Sequence, residues 1–344
     1  MGRRDVVVIG ASAGGIEALR ELLGTLPEDL AATVLVVVHM PATVNSALPA
    51  ILARAATMPV VQAHDGLPLE PGSVVVAVPD RHLLVRDGRV ALSRGPRENG
   101  HRPAVDTLFR SAAHSAGDRV VSIVLSGAMD DGTAGTIAVR ARGGVCLAQD
   151  PAEALYPSMP QHAIQVGGAE YVVPVAGMAA LLTRLVAEEV AEDVPPAGDL
   201  MDMETSLAHF DADALNDDDR PGDPSGFGCP SCHGALFTIT EGGMERYRCR
   251  VGHAWSPEAL ASEQSQALEG ALWMALRGLE ERAALSLRMG QRAEERGHPH
   301  SARAFQQRHD EAQQAALVLR GLLQRGELSD EAGPDVARDG AGEA

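Results

Sequence analysis

A serine stands near the start of the chain, where a predicted strand gives way to a predicted helix. Residues 6–9 are an uninterrupted β-branched run, which is typical of a strand covered on both faces. Small residues surround Ser12 in the turn GASAGG, and the apolar residues after it recur at helical spacing. Such a G-x-S-x-G pattern exposes a serine hydroxyl on a sharp turn, where free N–H groups of the helix N-terminus could stabilise an oxyanion.

Two other interpretations of this turn stay open. The serine could be the N-cap of an ordinary strand–helix turn, since G-x-S-x-G is a short motif. The turn could also bind a dinucleotide, but that fingerprint needs glycine at the position of Ser12 and an acidic residue near the position of His39. Dinucleotide binding is therefore the weaker hypothesis.

Two further reactive side chains follow other apolar strands. His39 comes directly after the run at 33–38, and Asp131 lies in the loop after the run at 120–125. Because the carboxyl ends of parallel strands meet at one edge of a sheet, we expect both side chains to lie near Ser12. Together they could form a nucleophile, a base and a carboxylate that orients the base. Their order along the chain, Ser, His, Asp, differs from that of the α/β-hydrolases, which disfavours that family.

Three of the four cysteines cluster with a histidine near the carboxyl terminus. Cys229 and Cys232 have two residues between them. Cys249 and His253 follow after a gap of sixteen residues and have three residues between them. This spacing is typical of a zinc ribbon, so we predict a structural Zn²⁺ rather than free thiols or disulfides. His233 is a less well placed candidate ligand.

The elements that must position these residues follow a regular order. Strand and helix patterns alternate over residues 1–190, which predicts an α/β fold with a doubly wound, mainly parallel, Rossmann-like sheet. Apolar residues at helical spacing after residue 256 predict a helical hairpin or short coiled coil, which could pack on itself or pair with another chain. The predicted parts are an α/β domain at 1–190, an acidic linker at 191–224, a zinc-ribbon-like module at 225–255, a helical hairpin at 256–326 and a disordered tail at 327–344.

The charge distribution excludes some classes of function. A formal charge of −18 argues against general nucleic-acid binding, which needs a basic surface. Thirteen acidic residues but one arginine lie between Glu188 and Asp223, so we expect a solvated spacer there, with a short helix near Leu207. The loop at 94–103 is rich in Arg, Gly and Pro and is expected to be exposed. The sequence predicts no membrane-spanning segment and no signal peptide, and hence a cytoplasmic protein.

Six stretches spread over nearly all of residues 5–186 resemble the catalytic domain of the chemotaxis protein-glutamate methylesterases, CheB. They are VIGASAGG, VVVHMP, PGSVVVAVPDRHL, RPAVDTLFRSAA, LSGAMDDGTAG and QDPAEALYPSMPQHAI. By this resemblance the catalytic triad is Ser12, His39 and Asp131. The family aspartate directly precedes glycine, so Asp130 is a neighbour of the triad and not its member.

The resemblance implies hydrolysis of glutamate γ-methyl esters through an acyl-enzyme, with protein-glutamine deamidation as a related activity. It implies no cofactor for catalysis, and an oxyanion held by the backbone N–H groups of Ala13 and Ala128. These two positions usually hold Thr and Met in the family, and backbone donors tolerate both changes. The implied partner is a methylated chemoreceptor or similar coiled-coil receptor in a pathway with a cognate methyltransferase, which implies recruitment to receptor arrays.

The family usually carries an amino-terminal receiver domain, but here the first catalytic strand begins at residue 5. We therefore expect a receiver-less esterase in which the carboxyl-terminal zinc and helical module supplies localisation or regulation. The alternative hypothesis is a non-catalytic adaptor of a chemosensory pathway that acts through this tail. The intact set of Ser12, His39 and Asp131 favours the enzyme.

Overall fold

The structure, a computed structural model, describes residues 2–43, 46–190, 194–216 and 222–325. The predicted disordered tail at 327–344 lies outside the described residues, as do parts of the predicted acidic linker. The chain divides into two compact units, Met1–Leu260 and Ala261–Ala344.

The elements up to residue 190 alternate between strand and helix. In chain order they are β1 (Gly2–Arg3), β2 (Val6–Ala11), α1 (Gly15–Thr25), β3 (Thr33–Val38), α2 (Leu48–Ala53), β4 (Val60–Gln62), β5 (Ser73–Val76), β6 (His82–Arg86), β7 (Arg89–Ser93), α3 (Val105–Ala116), β8 (Val120–Val124), α4 (Thr133–Ala141), β9 (Val145–Gln149), α5 (Ser158–Gln165), β10 (Tyr171–Val173), α6 (Val175–Ala187) and β11 (Glu189–Val190). A short 3₁₀ turn joins α3 to β8.

The remaining described elements build the carboxyl-terminal part. They are α7 (Asp199–His209), α8 (Ala212–Asn216), β12 (Asp223–Gly228), β13 (Ala235–Glu241), β14 (Met244–Cys249), β15 (Ala254–Trp255), α9 (Pro257–Glu295) and α10 (Pro299–Arg325).

Seven strands form one sheet in the order β10-β9-β8-β2-β3-β5-β4, and every neighbouring pair is parallel. This confirms the predicted doubly wound α/β fold. All residues of β2, β3 and β8 are buried, as their β-branched sequences require for strands covered by helices on both faces. The chain leaves β2 in one direction along the sheet and later returns on its other side at β8, so a topological switch point lies between these strands.

Two segments expected to be solvated are instead partly buried. Within the acidic linker, α7 forms the predicted short helix, but Met201, Glu204 and Leu207 on it are buried. In the loop at 94–103, Glu98 is 2% exposed. The expectation of a solvated spacer and an exposed loop was wrong here, because strands far along the sequence cover both segments.

A network of buried ion pairs explains why these acidic side chains are stable inside the protein. Arg246 donates to both carboxylate oxygens of Glu204 at 2.9 and 3.0 Å, and Arg248 donates to Glu204 at 2.7 Å and to Glu98 at 3.0 Å. Arg110 on α3 reaches Glu98 at 2.5 Å. Because buried charges need partners, this network joins α3, the 94–103 loop, α7 and β14 into one packed body.

The strands β12 to β15 form an antiparallel sheet in sequential order, and this sheet belongs to the first unit. It continues into the start of α9, where Ser256 caps the helix by accepting the N–H of Ala259 at 3.0 Å. The predicted N-terminus at Ser256, with Pro257 as the first helical residue, is confirmed.

The second unit contains the rest of α9 and α10, so the predicted helical region is present. The helices break at Gly297, whose φ is 71°, and pack on each other. His309 Nδ1 lies 2.9 Å from the carbonyl oxygen of Ala283, and Arg320 pairs with Glu280. Pairing of the hairpin with another chain stays a prediction. None of the described helices combines the length and apolarity needed to cross a membrane.

Candidate active site and metal cluster

The turn after β2 holds Ser12 against the loop that follows β8. The N–H of Ser12 donates to the carbonyl of Ser126 at 3.0 Å, and the N–H of Gly15 donates to the carbonyl of Ser12 at 3.1 Å. Gly14 has a φ of 71°, and a Cβ built there would lie 2.8 Å from the Cβ of Leu155. The glycine is therefore required by both conformation and space.

His39 follows β3 on the same edge of the sheet, and its N–H donates to the carbonyl of Ala11 at 3.2 Å. Its Nδ1 lies 3.1 Å from Ser12 Oγ, and its Nε2 lies 2.7 Å from Asp131 Oδ2. The structure thus brings the three sequence-predicted residues into one chain of hydrogen bonds. The sequence could place them on one edge of the sheet, but not show which imidazole nitrogen faces the serine.

Asp131 is buried in the loop between β8 and α4. Its Oδ2 also accepts the N–H of Val105 at 2.7 Å, while its Oδ1 accepts the N–H of Asp106 at 3.1 Å and the side-chain amide of Asn99 at 3.3 Å. Burial acts to raise the pKa of Asp131, but the hydrogen bond and charge of His39, with the backbone donor, hold this pKa well below its usual range.

The ionised carboxylate fixes the tautomer of the imidazole. Because Asp131 can only accept a hydrogen bond, His39 carries its proton on Nε2. Nδ1 is then free to accept the hydroxyl proton of Ser12. The arrangement can generate a serine nucleophile next to an imidazole base.

A second histidine, His101, lies flat against the first. The ring centroids of His101 and His39 are 3.6 Å apart, and the ring planes differ by 12°. Burial and the neighbouring His39 lower the pKa of His101 to about 4, so it is neutral near pH 7. A neutral ring can stack on a histidine that gains a proton without adding charge repulsion.

Three residues of this site, Asn99, His101 and Asp106, were not predicted from the sequence. Asp106 accepts the N–H groups of Gly132 and Gly135 at 2.9 and 2.7 Å, which ties the start of α3 to the start of α4. Burial and the charge of Asp131 raise the pKa of Asp106 well above its usual range. One signal in the sequence was the family-like stretch RPAVDTLFRSAA, which contains Asp106 and begins directly after His101.

The two predicted oxyanion donors lie on the loops beside Ser12. Ala13 directly follows the serine, and its carbonyl accepts the Ser126 hydroxyl at 2.9 Å. Ala128 is exposed in the loop after β8. Within the described part of the chain, no hydrogen bond to a protein acceptor uses the N–H of either alanine. Their role as oxyanion donors stays a prediction.

The predicted metal ligands also come together. The ligand atoms of Cys229, Cys232, Cys249 and His253 all lie within 4.8 Å of one another. The Sγ atoms of Cys232 and Cys249 are 3.6 Å apart, and His253 Nδ1 lies 3.6 Å from the Sγ of Cys249. Zn–S bonds of about 2.3 Å in a tetrahedron place two sulfurs about 3.8 Å apart, so the donor set and its spacing fit Zn²⁺. His233 is exposed and is not part of this cluster.

Comparison with known proteins gives the family. The family model described as CheB methylesterase matches residues 7–182, which is half of the chain. The chain belongs to the CheB methylesterase family. The catalytic domain of the Thermotoga maritima CheB methylesterase, a solved structure, is 33% identical and aligns with a TM-score of 0.51, covering 54% of this chain and all of that one.

Two curated relatives of this CheB domain carry the name protein-glutamate methylesterase/protein-glutamine glutaminase. The protein from Anaeromyxobacter dehalogenans is 40% identical over 184 residues, which are 52% of this chain and 51% of that protein. The protein from Caulobacter vibrioides is 41% identical over 178 residues, 51% and 52% of the two chains. The chain thus spans about half the length of the curated relatives it matches.

The CheB match covers the site but not the whole chain. Ser12, His39 and Asp131 lie within residues 7–182, and so do the missed Asn99 and His101. The cysteine cluster lies beyond the matched residues. The candidate triad and the cysteine–histidine cluster therefore come from different segments of the first unit.

Proposed function

We propose that the chain is a serine esterase that hydrolyses glutamate γ-methyl esters of chemoreceptors, or of similar coiled-coil receptors, and also deamidates protein glutamines. The observation that carries the proposal is the hydrogen-bonded chain from Ser12 through His39 to Asp131 within a CheB methylesterase domain. The names of the curated relatives supply both reactions.

In the first half of the reaction, Ser12 Oγ attacks the ester carbonyl as His39 Nδ1 takes its proton. Asp131 stabilises the resulting imidazolium through Nε2–H. The N–H groups of Ala13 and Ala128 hold the oxyanion of the tetrahedral intermediate. The carbon–oxygen bond to the methoxy group then breaks, and His39 returns the proton so that methanol leaves.

In the second half, water replaces the alcohol. His39 takes a proton from the water, whose oxygen attacks the acyl carbon. The bond from that carbon to Ser12 Oγ then breaks, and His39 returns the proton to Oγ. The products are a receptor glutamate carboxylate and the free serine. With a glutamine substrate the same steps release ammonia, which matches the second activity in the relatives' names. Neither half needs a cofactor.

We also propose that Cys229, Cys232, Cys249 and His253 hold a structural Zn²⁺ in a zinc ribbon. Three thiolates and one imidazole leave no open position on a tetrahedral ion, so the metal serves folding rather than catalysis. The receptor substrate further leads us to propose a cytoplasmic location with recruitment to receptor arrays, in a pathway that contains a methyltransferase.

The proposal is tested by methanol release from a methylated receptor signalling fragment. The full chain should release methanol, Ser12→Ala should not, and Ser73→Ala on β5 should behave like the unsubstituted protein. A folded full chain that releases no methanol, while a known esterase is active on the same fragment, would contradict the proposal and favour the adaptor hypothesis.

A further inference from the structure

One side chain, Asn99, joins the catalytic aspartate to the carboxyl-terminal sheet. Its amide nitrogen donates to Asp131 Oδ1 at 3.3 Å and to Asp106 Oδ2 at 3.2 Å. Its amide oxygen accepts the N–H of Ser256 at 2.9 Å, and its own N–H donates to the carbonyl of Ala254 at 2.8 Å. Asn99 has a φ of 50°, a left-handed conformation that these contacts hold in place.

A second contact reaches the aspartate loop from the same direction. Ser256 donates its hydroxyl to Asp130 Oδ1 at 2.7 Å, next to the catalytic Asp131. Met129, one residue earlier, packs against the apolar cluster that contains Cys229, Cys249 and Trp255. The loop that carries Asp131 is thus held on one side by residues of the cysteine-containing sheet.

The metal ligands lie beside these contacts in the sequence. His253 immediately precedes Ala254, whose N–H donates to the carbonyl of Arg97 at 3.2 Å and whose carbonyl accepts from Asn99. The carbonyl of His253 accepts the N–H of Cys249 at 3.0 Å, so the position of Ala254 depends on the turn that carries two ligands. A metal ion that fixes this turn also fixes the strand against which Asn99 rests.

We infer that Asn99 is a positioning residue for Asp131, and that the metal-bound ribbon holds Asn99 in place. The ribbon is therefore a structural part of the esterase site rather than a separate appendage. Its metal acts on catalysis only through protein contacts, by keeping Asp131 aligned with His39 Nε2. This inference rests on the proposed function of Ser12 as a nucleophile.

Two matched pairs of variants separate this role from general folding. Asn99→Asp keeps an oxygen that accepts the N–H of Ser256, but it replaces the amide that donates to Asp131 with a carboxylate that repels it. The control is Asp87→Asn, which changes an exposed hairpin-turn residue that has the same left-handed backbone conformation. His253→Ala removes a metal ligand, whereas His233→Ala changes an exposed histidine outside the cluster.

The measurements on these variants do not require the receptor substrate. A fluorophosphonate reacts with a triad serine, so the rate at which it labels Ser12 in the full chain measures activation of the hydroxyl. The low-field proton resonance of His39 Nε2–H reports the hydrogen bond to Asp131. Bound zinc is measured by elemental analysis before and after chelation, and circular dichroism checks that each variant is folded.

We expect Asn99→Asp to slow labelling about 10- to 100-fold and to shift or broaden the Nε2–H resonance, with zinc content unchanged. Chelation and His253→Ala should lower zinc and labelling together, and zinc added back to the chelated protein should restore both. The two control variants should match the unsubstituted protein.

Unchanged labelling and an unchanged resonance in folded Asn99→Asp, or in protein stripped of its zinc, would overturn the inference. Failure of the unsubstituted protein to label at Ser12 would instead overturn the proposed function. The two failures are therefore distinguishable.

Discussion

At the scale of single residues, the proposed chemistry depends on a carboxylate that stays ionised although it is buried. Asp131 accepts hydrogen bonds from two backbone N–H groups, from Asn99 and from His39, and its pKa is held well below the usual range although burial acts to raise it. Its neighbour Asp130 is also buried, but there burial raises the pKa to about 7. The pKa values of these two adjacent carboxylates thus differ because their hydrogen-bond donors differ.

Substitution of Asp131 or Asp130 by Asn should distinguish the roles of the two carboxylates. Asp131→Asn removes the charge that stabilises the imidazolium and allows the wrong tautomer of His39, so kcat for methanol release should fall about 10³- to 10⁴-fold. Asp130→Asn keeps an oxygen that can accept the Ser256 hydroxyl, so its kcat should stay close to that of the unsubstituted protein. Equal losses in steady-state kinetics of the two variants would contradict the assignment of Asp131.

At the scale of elements, the site depends on three loops that leave neighbouring parallel strands at the same edge. The strands β2, β3 and β8 could be predicted from their β-branched runs, and so could the edge on which Ser12, His39 and Asp131 lie. The stacked His101 and the amide of Asn99 could not be predicted in this way. They belong to a loop whose position is fixed by β15, more than 150 residues further along the chain, and local sequence pattern carries no such information.

The turn after β2 should be sensitive to one added methyl group. Gly14→Ala forces a side chain into a left-handed conformation and against Leu155, so we expect the free energy of unfolding to fall by about 1–2 kcal/mol and esterase activity to fall with it. Gly177→Ala in α6 is the control, because no atom lies within 4 Å of its added Cβ. That change should leave stability equal or raise it by up to about 1 kcal/mol. Urea unfolding of both variants measures the difference, and a Gly14→Ala protein as stable as Gly177→Ala would be inconsistent with the structure.

At the scale of the whole molecule, the acidic linker and the carboxyl-terminal sheet are parts of the first unit. Composition predicted a solvated spacer because thirteen acidic residues lie between Glu188 and Asp223, but composition does not show whether an acidic side chain has a buried partner. Glu204 is fully buried and lies among Arg110, Arg246 and Arg248. Although burial acts to raise the pKa of Glu204, the three arginines hold it well below its usual range.

Removal of the Glu204 carboxylate should destabilise the whole of the first unit. Glu204→Gln leaves the buried arginines short of one negative charge, so we expect a loss of about 3–5 kcal/mol in the free energy of unfolding. Glu188→Gln is the matched control, because the ion pair of Glu188 with Arg4 is exposed on the glutamate side and its removal should cost about 0–1 kcal/mol. Similar urea midpoints for the two variants would refute the structural role of Glu204.

The Glu204 carboxylate also makes the free energy of unfolding depend on pH. Its folded-state pKa is depressed, so its contribution to stability is fully present above the unfolded-state value of about 4.3 and is lost as pH falls towards the folded-state value. The unsubstituted protein should therefore lose stability more steeply below that pH than Glu204→Gln does. Urea unfolding at a series of acidic pH values measures the two slopes, and parallel slopes would contradict this account.

Attack of Ser12 on a glutamate methyl ester is tested best by capture of the acyl-enzyme. The full chain is mixed with a methylated receptor fragment, quenched in acid within one turnover and digested for mass spectrometry. We expect a receptor peptide, lighter by methanol, joined to the peptide that contains Ser12, and no such adduct in Ser12→Ala. Methanol release without any adduct at Ser12, or with the adduct on another residue, would contradict it.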